Sequence, residues 1–429
     1  MIKLEDIQSL LGDHTAPYMY NIKDFQPGKS PVYYSGPYWD SKEIEAAVES
    51  FLNGKWVTAG EKVYKFENQF NKRFNTKHSH MVNSGSSANL VLIAALKARF
   101  KWADDDEIIV SPVGFATTVS VLYQNRLKPV FADIEWNTLN FDLDQVEAKI
   151  TNKTKGIFIS PVLGNPPDMD RLKAIAEKYN IQLIGDNCDS LGSKWDGKLL
   201  TDNYVAYSNS FYPAHHISTG EGGMVCTNDE DLKKLFVKFS WWGRDCYCIG
   251  SANLLACGTC GNRFDKWLEN YDNDIDHKYV FSEMGYNLKP LDLQGAIGLV
   301  QLDKLDQIEA NRKRSNETIS KIFTDKIPGL RVPSVLDKAE PCWFGTPFIC
   351  DEPGLKHKLV AYLEENKIQT RNYFAGNILM HPGYSHLDDY KLYPEANKVL
   401  DKVFFIGAAP HYNDQVFNYI NDVINGFTI

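Results

Sequence analysis

Seven short apolar runs, at 79–82, 106–110, 129–132, 156–160, 181–185, 204–208 and 223–226, alternate with helical patterns through the middle of this chain. The helical stretches between them include 86–99, 114–124, 143–149 and 168–179. Short apolar runs bounded by turn residues read as buried strands, and helices between successive strands predict a mostly parallel sheet covered by helices, an α/β fold. In such a sheet ligands sit beyond the carboxyl ends of the strands. Functional residues are therefore sought just after each run.

The rest of the chain fits around that sheet. Residues 1–40 are rich in Tyr, Pro and Gly and read as an irregular arm suited to packing on another subunit. Residues 41–55 predict a helix with Ser41 as its N-cap, and 60–72 a second amphipathic helix. One long amphipathic helix is expected over about 290–315, leading to a smaller α+β unit over about 320–429. The resulting division is an arm and helix at 1–55, a large domain at 56–315 with a cysteine-bearing insertion at about 244–270, and a small domain at 316–429.

The 429 residues carry a net charge of −9, which argues against nucleic acid as a partner. The opening MIKLEDIQSLLGDH lacks the apolar stretch of a signal peptide, and no run reaches the roughly 20 residues needed to span a bilayer. A cytoplasmic protein without a membrane partner is the expectation. Eight cysteines are too few for a disulfide scaffold in a chain of this length.

Three segments after the runs carry candidate chemistry. In Asn83-Ser84-Gly85-Ser86-Ser87-Ala88-Asn89 a strand gives way to a helix, where free backbone N–H groups and the helix dipole suit a phosphate. The same segment also reads as a plain N-cap. Asp186 ends the run IQLIG, where a carboxylate can pair a protonated pyridine nitrogen or simply cap a helix. The loop from Ser208 to Gly223 holds His215 and His216 among hydroxyls and glycines, which suits proton transfer near neutral pH or a structural role.

Taken with SPVGFATT, PVFADIEWNTLNFD, GYNLKPLDLQGA and RNYFAGN, these segments resemble the fold type I (aspartate-aminotransferase-like) pyridoxal-phosphate enzymes. The chain is most similar to the aminotransferase and dehydratase family acting on nucleotide-linked 4-keto sugars. The resemblance implies a large domain built on a mostly parallel seven-stranded sheet and a small C-terminal α+β domain. It puts the cofactor phosphate on Gly85, Ser86, Ser210 and a partner subunit's Asn287. It stacks Phe115 on the ring and pairs Asp186 with the ring nitrogen. Asp189 stands where aminotransferases carry a Gln that orients the ring. His215 stands where they carry the lysine that binds the cofactor covalently, and an imidazole cannot form that bond. The departure matches the 3-dehydratase branch, in which pyridoxamine phosphate is held non-covalently and the histidine acts as base, in deoxysugar biosynthesis.

That branch divides on its cysteines. One subgroup is metal-free and restores its cofactor with glutamate. The other holds a [2Fe-2S] cluster on C-x57-C-x-C-x7-C and takes electrons from a flavin iron–sulfur reductase. Here 57 residues separate Cys188 from Cys246, and Cys246 and Cys248 form C-x-C. Cys260 is the expected fourth ligand, although 11 residues rather than seven precede it, and Cys257 competes for the role. Four thiolates would also accept zinc, or stand as unmetallated thiols. The resemblance favours iron–sulfur and a cytidine-linked 4-keto-6-deoxyglucose substrate, with the metal-free dehydratase and a sugar aminotransferase as alternatives. Arg371, Asn377 and His381 are candidate substrate contacts, and a homodimer is expected.

Overall fold

The computed structural model describes residues 4–11, 24–246 and 261–428. All seven apolar runs form strands: β1 (His78–Val82), β2 (Glu107–Val110), β3 (Lys128–Phe131), β4 (Thr154–Ile159), β5 (Gln182–Asp186), β6 (Ala206–Ser210) and β7 (Gly223–Thr227). They make one seven-stranded sheet in the order β1-β7-β6-β5-β4-β2-β3. The pairs from β6 across to β3 are parallel, and β7 runs antiparallel to both β1 and β6.

Neighbouring residues on a strand point to opposite faces, and each face has its own core here. Ile108, Phe158 and Ile184 pack with the helix Gly85–Phe100 on one side. Their neighbours Ile109, Ile157 and Leu183 pack with Phe66, Phe70 and Leu172 on the other. Burial on both faces is why these strands read as continuous apolar runs rather than as alternating ones.

The small domain is a four-stranded antiparallel sheet in the order Leu330–Arg331, Gly345–Cys350, Val403–Gly407, Thr370–Asn372, backed by the helices Leu305–Thr324, Leu355–Glu365 and Asp414–Asn425. Ile319, Phe323, Phe348, Phe404 and Ile420 form its separate core. Asp133, fully buried just after β3, binds the domains together by accepting from the backbone N–H groups of Glu395 and Ala396 at 3.0 and 2.9 Å.

Three local expectations are corrected. The helix Ser41–Asn53 is capped by Asp40, not Ser41. The Asp40 carboxylate accepts from Lys42 N–H, and Glu43 closes the capping box. The expected single helix over 290–315 is two, Asp292–Asp303 and Leu305–Thr324, joined at Lys304. Lys304 Nζ reaches both Glu43 oxygens (2.8 and 2.7 Å) and Asp40 (2.9 Å), which ties the joint to the N-terminal helix. The arm, expected to be irregular, contains a helix, Leu4–Leu11, and its residues 32–39 also make contacts within their own chain. Val32 pairs with Ile368, Ser35 Oγ donates to Ala214 O, and Trp39 Nε1 donates to Ser218 O. Among the described residues no helix is long and apolar enough to cross a membrane.

Candidate active site

The carboxyl ends of β1, β5 and β6 and the loop after β2 open onto a cavity of about 370 Å³. Gly85, Ser86, Phe115, Asp186, Asp189 and Ser210 all line it, and so do Cys188 and His215. Residues far apart in the chain thus meet where the parallel topology places a ligand.

One end of the cavity is the first turn of the helix Gly85–Phe100. Ser84 caps it, its Oγ accepting from Ser87 N–H at 3.1 Å. The N–H groups of the first turn have no partner within the helix, and the dipole adds partial positive charge. A Cβ on Gly85 would stand 2.5 Å from Ser210 Cβ. Only glycine lets the helix start lie this close to the end of β6, so the two segments form one cradle for an anion.

Asp186 lines the same cavity. It is buried, and its Oδ2 accepts from Asn89 Nδ2 at 2.9 Å and Thr118 Oγ1 at 2.6 Å. Asn89 Oδ1 in turn accepts from Ser208 Oγ at 2.5 Å. Both donors are neutral, so these bonds orient the carboxylate without pairing it with a cation. Phe115 is 54% exposed at the cavity wall. An apolar ring left uncovered in the same cavity as a fixed carboxylate fits a flat cationic heterocycle.

His215 sits on the loop between β6 and β7. Burial and the nearby Arg312 guanidinium lower its pKa to about 3, so the ring is neutral among the residues around it. Among the described residues its Nδ1 has no hydrogen-bond partner, and it lies 3.7 Å from Asp189 Oδ1. Asp189 has its own pKa raised to about 7 by burial and by Asp186. Arg312, only 1% exposed, holds the loop in place. It donates to the carbonyls of Ala214 (3.0 Å), His215 (2.7 Å) and, from the small domain, Phe344 (3.0 Å).

A second cavity of about 510 Å³ adjoins the first and shares Tyr34, Phe115, Phe344 and Phe374 with it. Arg371 and His381 line it as expected. Asn377 does not line either cavity. It is fully buried, donating to Asn397 Oδ1 and accepting from Leu379 N–H, which is a helix-capping role. Asn287 lies outside its own chain's cavity, with its side chain exposed and bonded to Lys289. Cys188 and Cys246 are described, whereas Cys248, Cys257 and Cys260 lie outside the described residues. Among the described residues no group of three or more His, Cys, Asp or Glu side chains could hold a metal ion.

Several residues of the site carry no mark in the sequence. Asn89 and Thr118 hold Asp186 only because two helix starts converge beneath β5. Arg312 looks like one of the solvated cations in NRKRS. Tyr34 is one of many tyrosines in the arm.

Residues 39–425 match the profile of the DegT/DnrJ/EryC1/StrS aminotransferase family. A lipopolysaccharide biosynthesis protein of Salmonella typhimurium is 36% identical over 425 residues, covering 97% of this chain and 96% of the relative. A dTDP-4-dehydro-2,6-dideoxy-D-glucose 3-dehydratase of Saccharopolyspora spinosa is 36% identical over 412 residues, covering 94% of this chain and 88% of the relative. Among solved structures, a GDP-4-keto-6-deoxymannose-3-dehydratase with a trapped PLP–glutamate geminal diamine superposes with a TM-score of 0.80 at 31% identity, covering 92% of this chain and all of that one.

Proposed function

From the premise that the chain belongs to the DegT/DnrJ/EryC1/StrS aminotransferase family, with its fold type I architecture, we propose that it is a 3-dehydratase. Its substrate would be a nucleotide-linked 4-keto-6-deoxyhexose, in deoxysugar biosynthesis. The observation that carries this reading is His215. A buried neutral imidazole stands in the cavity where aminotransferases of the family bind the cofactor through lysine.

The residues fit a pyridoxal or pyridoxamine phosphate. Gly85, Ser86 and Ser210 would hold the phosphate, Phe115 the ring face and Asp186 the ring nitrogen, kept protonated by the fixed carboxylate. The bound group supplies an electron-accepting ring that makes loss of the sugar C3 hydroxyl feasible. His215 takes up a proton as base and is then placed to return one to the departing C3 oxygen. Asp189, close to His215 Nδ1, stabilises the ring while it is charged. A homodimer is part of the reading. Trp56, Val57 and Met284, the last 87% exposed, are apolar side chains of the kind a second copy would cover.

Restoring the cofactor distinguishes two forms of the enzyme. The glutamate-dependent form is supported by the solved relative that holds glutamate on its cofactor. The cysteine pattern favours the second form, in which Cys188, Cys246, Cys248 and Cys260 hold a [2Fe-2S] cluster served by a reductase, with Cys188 lining the cavity itself. The test is anaerobic turnover of CDP-, GDP- and dTDP-linked 4-keto-6-deoxyhexoses, with glutamate or with a flavin iron–sulfur reductase, alongside iron and sulfide analysis. A 3-deoxy product is expected, with the cytidine-linked sugar the favoured substrate. Full turnover on glutamate by iron-free protein would exclude the cluster. A cofactor adduct trapped by borohydride on the unmodified chain would exclude the role given to His215.

A further inference from the structure

The two cavities meet at a residue of the N-terminal arm. Tyr34 lines both of them. Backbone contacts fix its position. The flanking Val32 N–H donates to Lys367 O at 2.7 Å and Gln369 N–H to Val32 O at 2.9 Å, so the arm runs beside the segment leading into Thr370–Asn372. Tyr34 N–H donates to Gln369 Oε1 at 3.3 Å, and Ser35 Oγ donates to Ala214 O at 3.0 Å, on the loop that carries His215. The Tyr34 ring also meets Phe405 edge-on at 6.2 Å.

Over the Tyr34 ring lies the Arg371 guanidinium, 4.0 Å from the ring centroid. Its Nη1 donates to Thr370 O at 2.7 Å, and stacking on an aromatic face leaves the other N–H groups of the guanidinium available, where they match phosphate oxygens. Among the described residues the second cavity is lined by Arg371, Asn372 and His381 together with aromatic rings, and by no carboxylate. Its polar chemistry thus selects an anion, and its aromatic walls a flat base or a sugar face.

We propose that Tyr34 and Arg371 act as one anion-binding unit, in which the Tyr34 ring positions Arg371 to bind the diphosphate of the substrate in the second cavity. Tyr34 is then a positioning residue, and the arm is part of the active site. The inference rests on the proposed reading that the substrate is nucleotide-linked, and it adds which residues hold the linkage.

Its test measures binding apart from turnover. GDP, CDP and dTDP are titrated calorimetrically into the full chain loaded with pyridoxal phosphate, whose absorbance reports that the cofactor site is intact. Tyr34→Leu and Arg371→Met are each expected to weaken nucleoside-diphosphate binding about tenfold, and the double variant little more than either alone. Tyr34→Phe keeps the ring and should bind as the natural protein does. In turnover, Tyr34→Leu should raise KM with kcat nearly unchanged. If Tyr34→Leu misfolds, increasing ring fluorination of phenylalanine introduced at position 34 removes the attraction without changing the shape, and affinity should fall stepwise.

Unchanged binding by Tyr34→Leu, or by the fluorinated series, would overturn the inference and leave the dehydratase reading standing. An equal loss in Tyr34→Phe would overturn it too, because the hydroxyl rather than the ring would then matter. If the natural protein binds none of the three nucleotides, the inference and the nucleotide-linked substrate fall together.

Discussion

Replacing Gly85 by alanine tests the anion cradle directly. The added Cβ would lie 2.5 Å from Ser210 Cβ, 2.8 Å from its Oγ and 3.1 Å from its Cα. Ser210 ends β6 opposite Gly223 of β7, and the next residue, Phe211, donates its N–H to Gly222 O, so neither side can yield cheaply. Forcing a methyl group into such a contact costs about 1–3 kcal/mol. The relief available is to push the helix start away from β6, which opens the cradle. The affinity for pyridoxal phosphate should then drop about ten- to a hundredfold, at about 1.4 kcal/mol per factor of ten. Titration of the apoprotein with pyridoxal phosphate, followed by absorbance, gives the dissociation constant, and a melting curve reports the strain. Adding Ser210→Gly removes the two closest atoms, so the double variant should melt closer to the natural protein than Gly85→Ala does. The reasoning is refuted if Gly85→Ala binds the cofactor as tightly as the natural protein and melts at the same temperature.

Other perturbations have equally definite outcomes. Asp189 has a folded-state pKa of about 7 against about 3.9 in the unfolded chain. Its burial therefore lowers stability progressively as pH rises from about 4 to 7, by at most roughly 4 kcal/mol, and not at all below both values. Urea unfolding of apoprotein Asp189→Asn should show a variant more stable than the natural chain at pH 8, with the gap closing by pH 4. Asp133→Ala removes the acceptor for two N–H groups at the start of the helix Pro394–Lys402 and should destabilise by about 1–3 kcal/mol, read as a lower urea midpoint. Arg312→Lys keeps the charge but cannot reach three carbonyls at once. Single-turnover kinetics should show a kcat at least about tenfold lower, from loss of more than 1.4 kcal/mol of positioning, with nucleotide affinity retained.

The sheet was legible because its strands are buried on both faces, so a run such as QLIGD needs no partner to be recognised. The cavity residues that follow the strands were legible for the same reason, since topology puts strand ends together. What could not be read depends on distant contacts or on caps. The apolar pattern continues across Lys304, and only Glu43 and Asp40, some 260 residues upstream, mark the break. Arg312 reaches Ala214 and His215 across 98 and 97 positions, and nothing in NRKRS separates that guanidinium from its solvated neighbours. The residue before Ser41 competes for the cap with a carboxylate, a stronger acceptor than a hydroxyl, and wins.

The placement of His215 has an evolutionary consequence. Its loop leaves β6 and returns along β7 as a closed hairpin, with Phe211 N–H bonded to Gly222 O and Thr219 N–H to Phe211 O. Arg312 grips the loop through carbonyl oxygens, not through the histidine ring. The grip on the loop is thus through its backbone, while the His215 ring touches the Cys188 backbone and Phe344. On the proposed reading, exchanging that ring would change the reaction while these backbone bonds remain, so a single codon would separate two chemistries that share one scaffold.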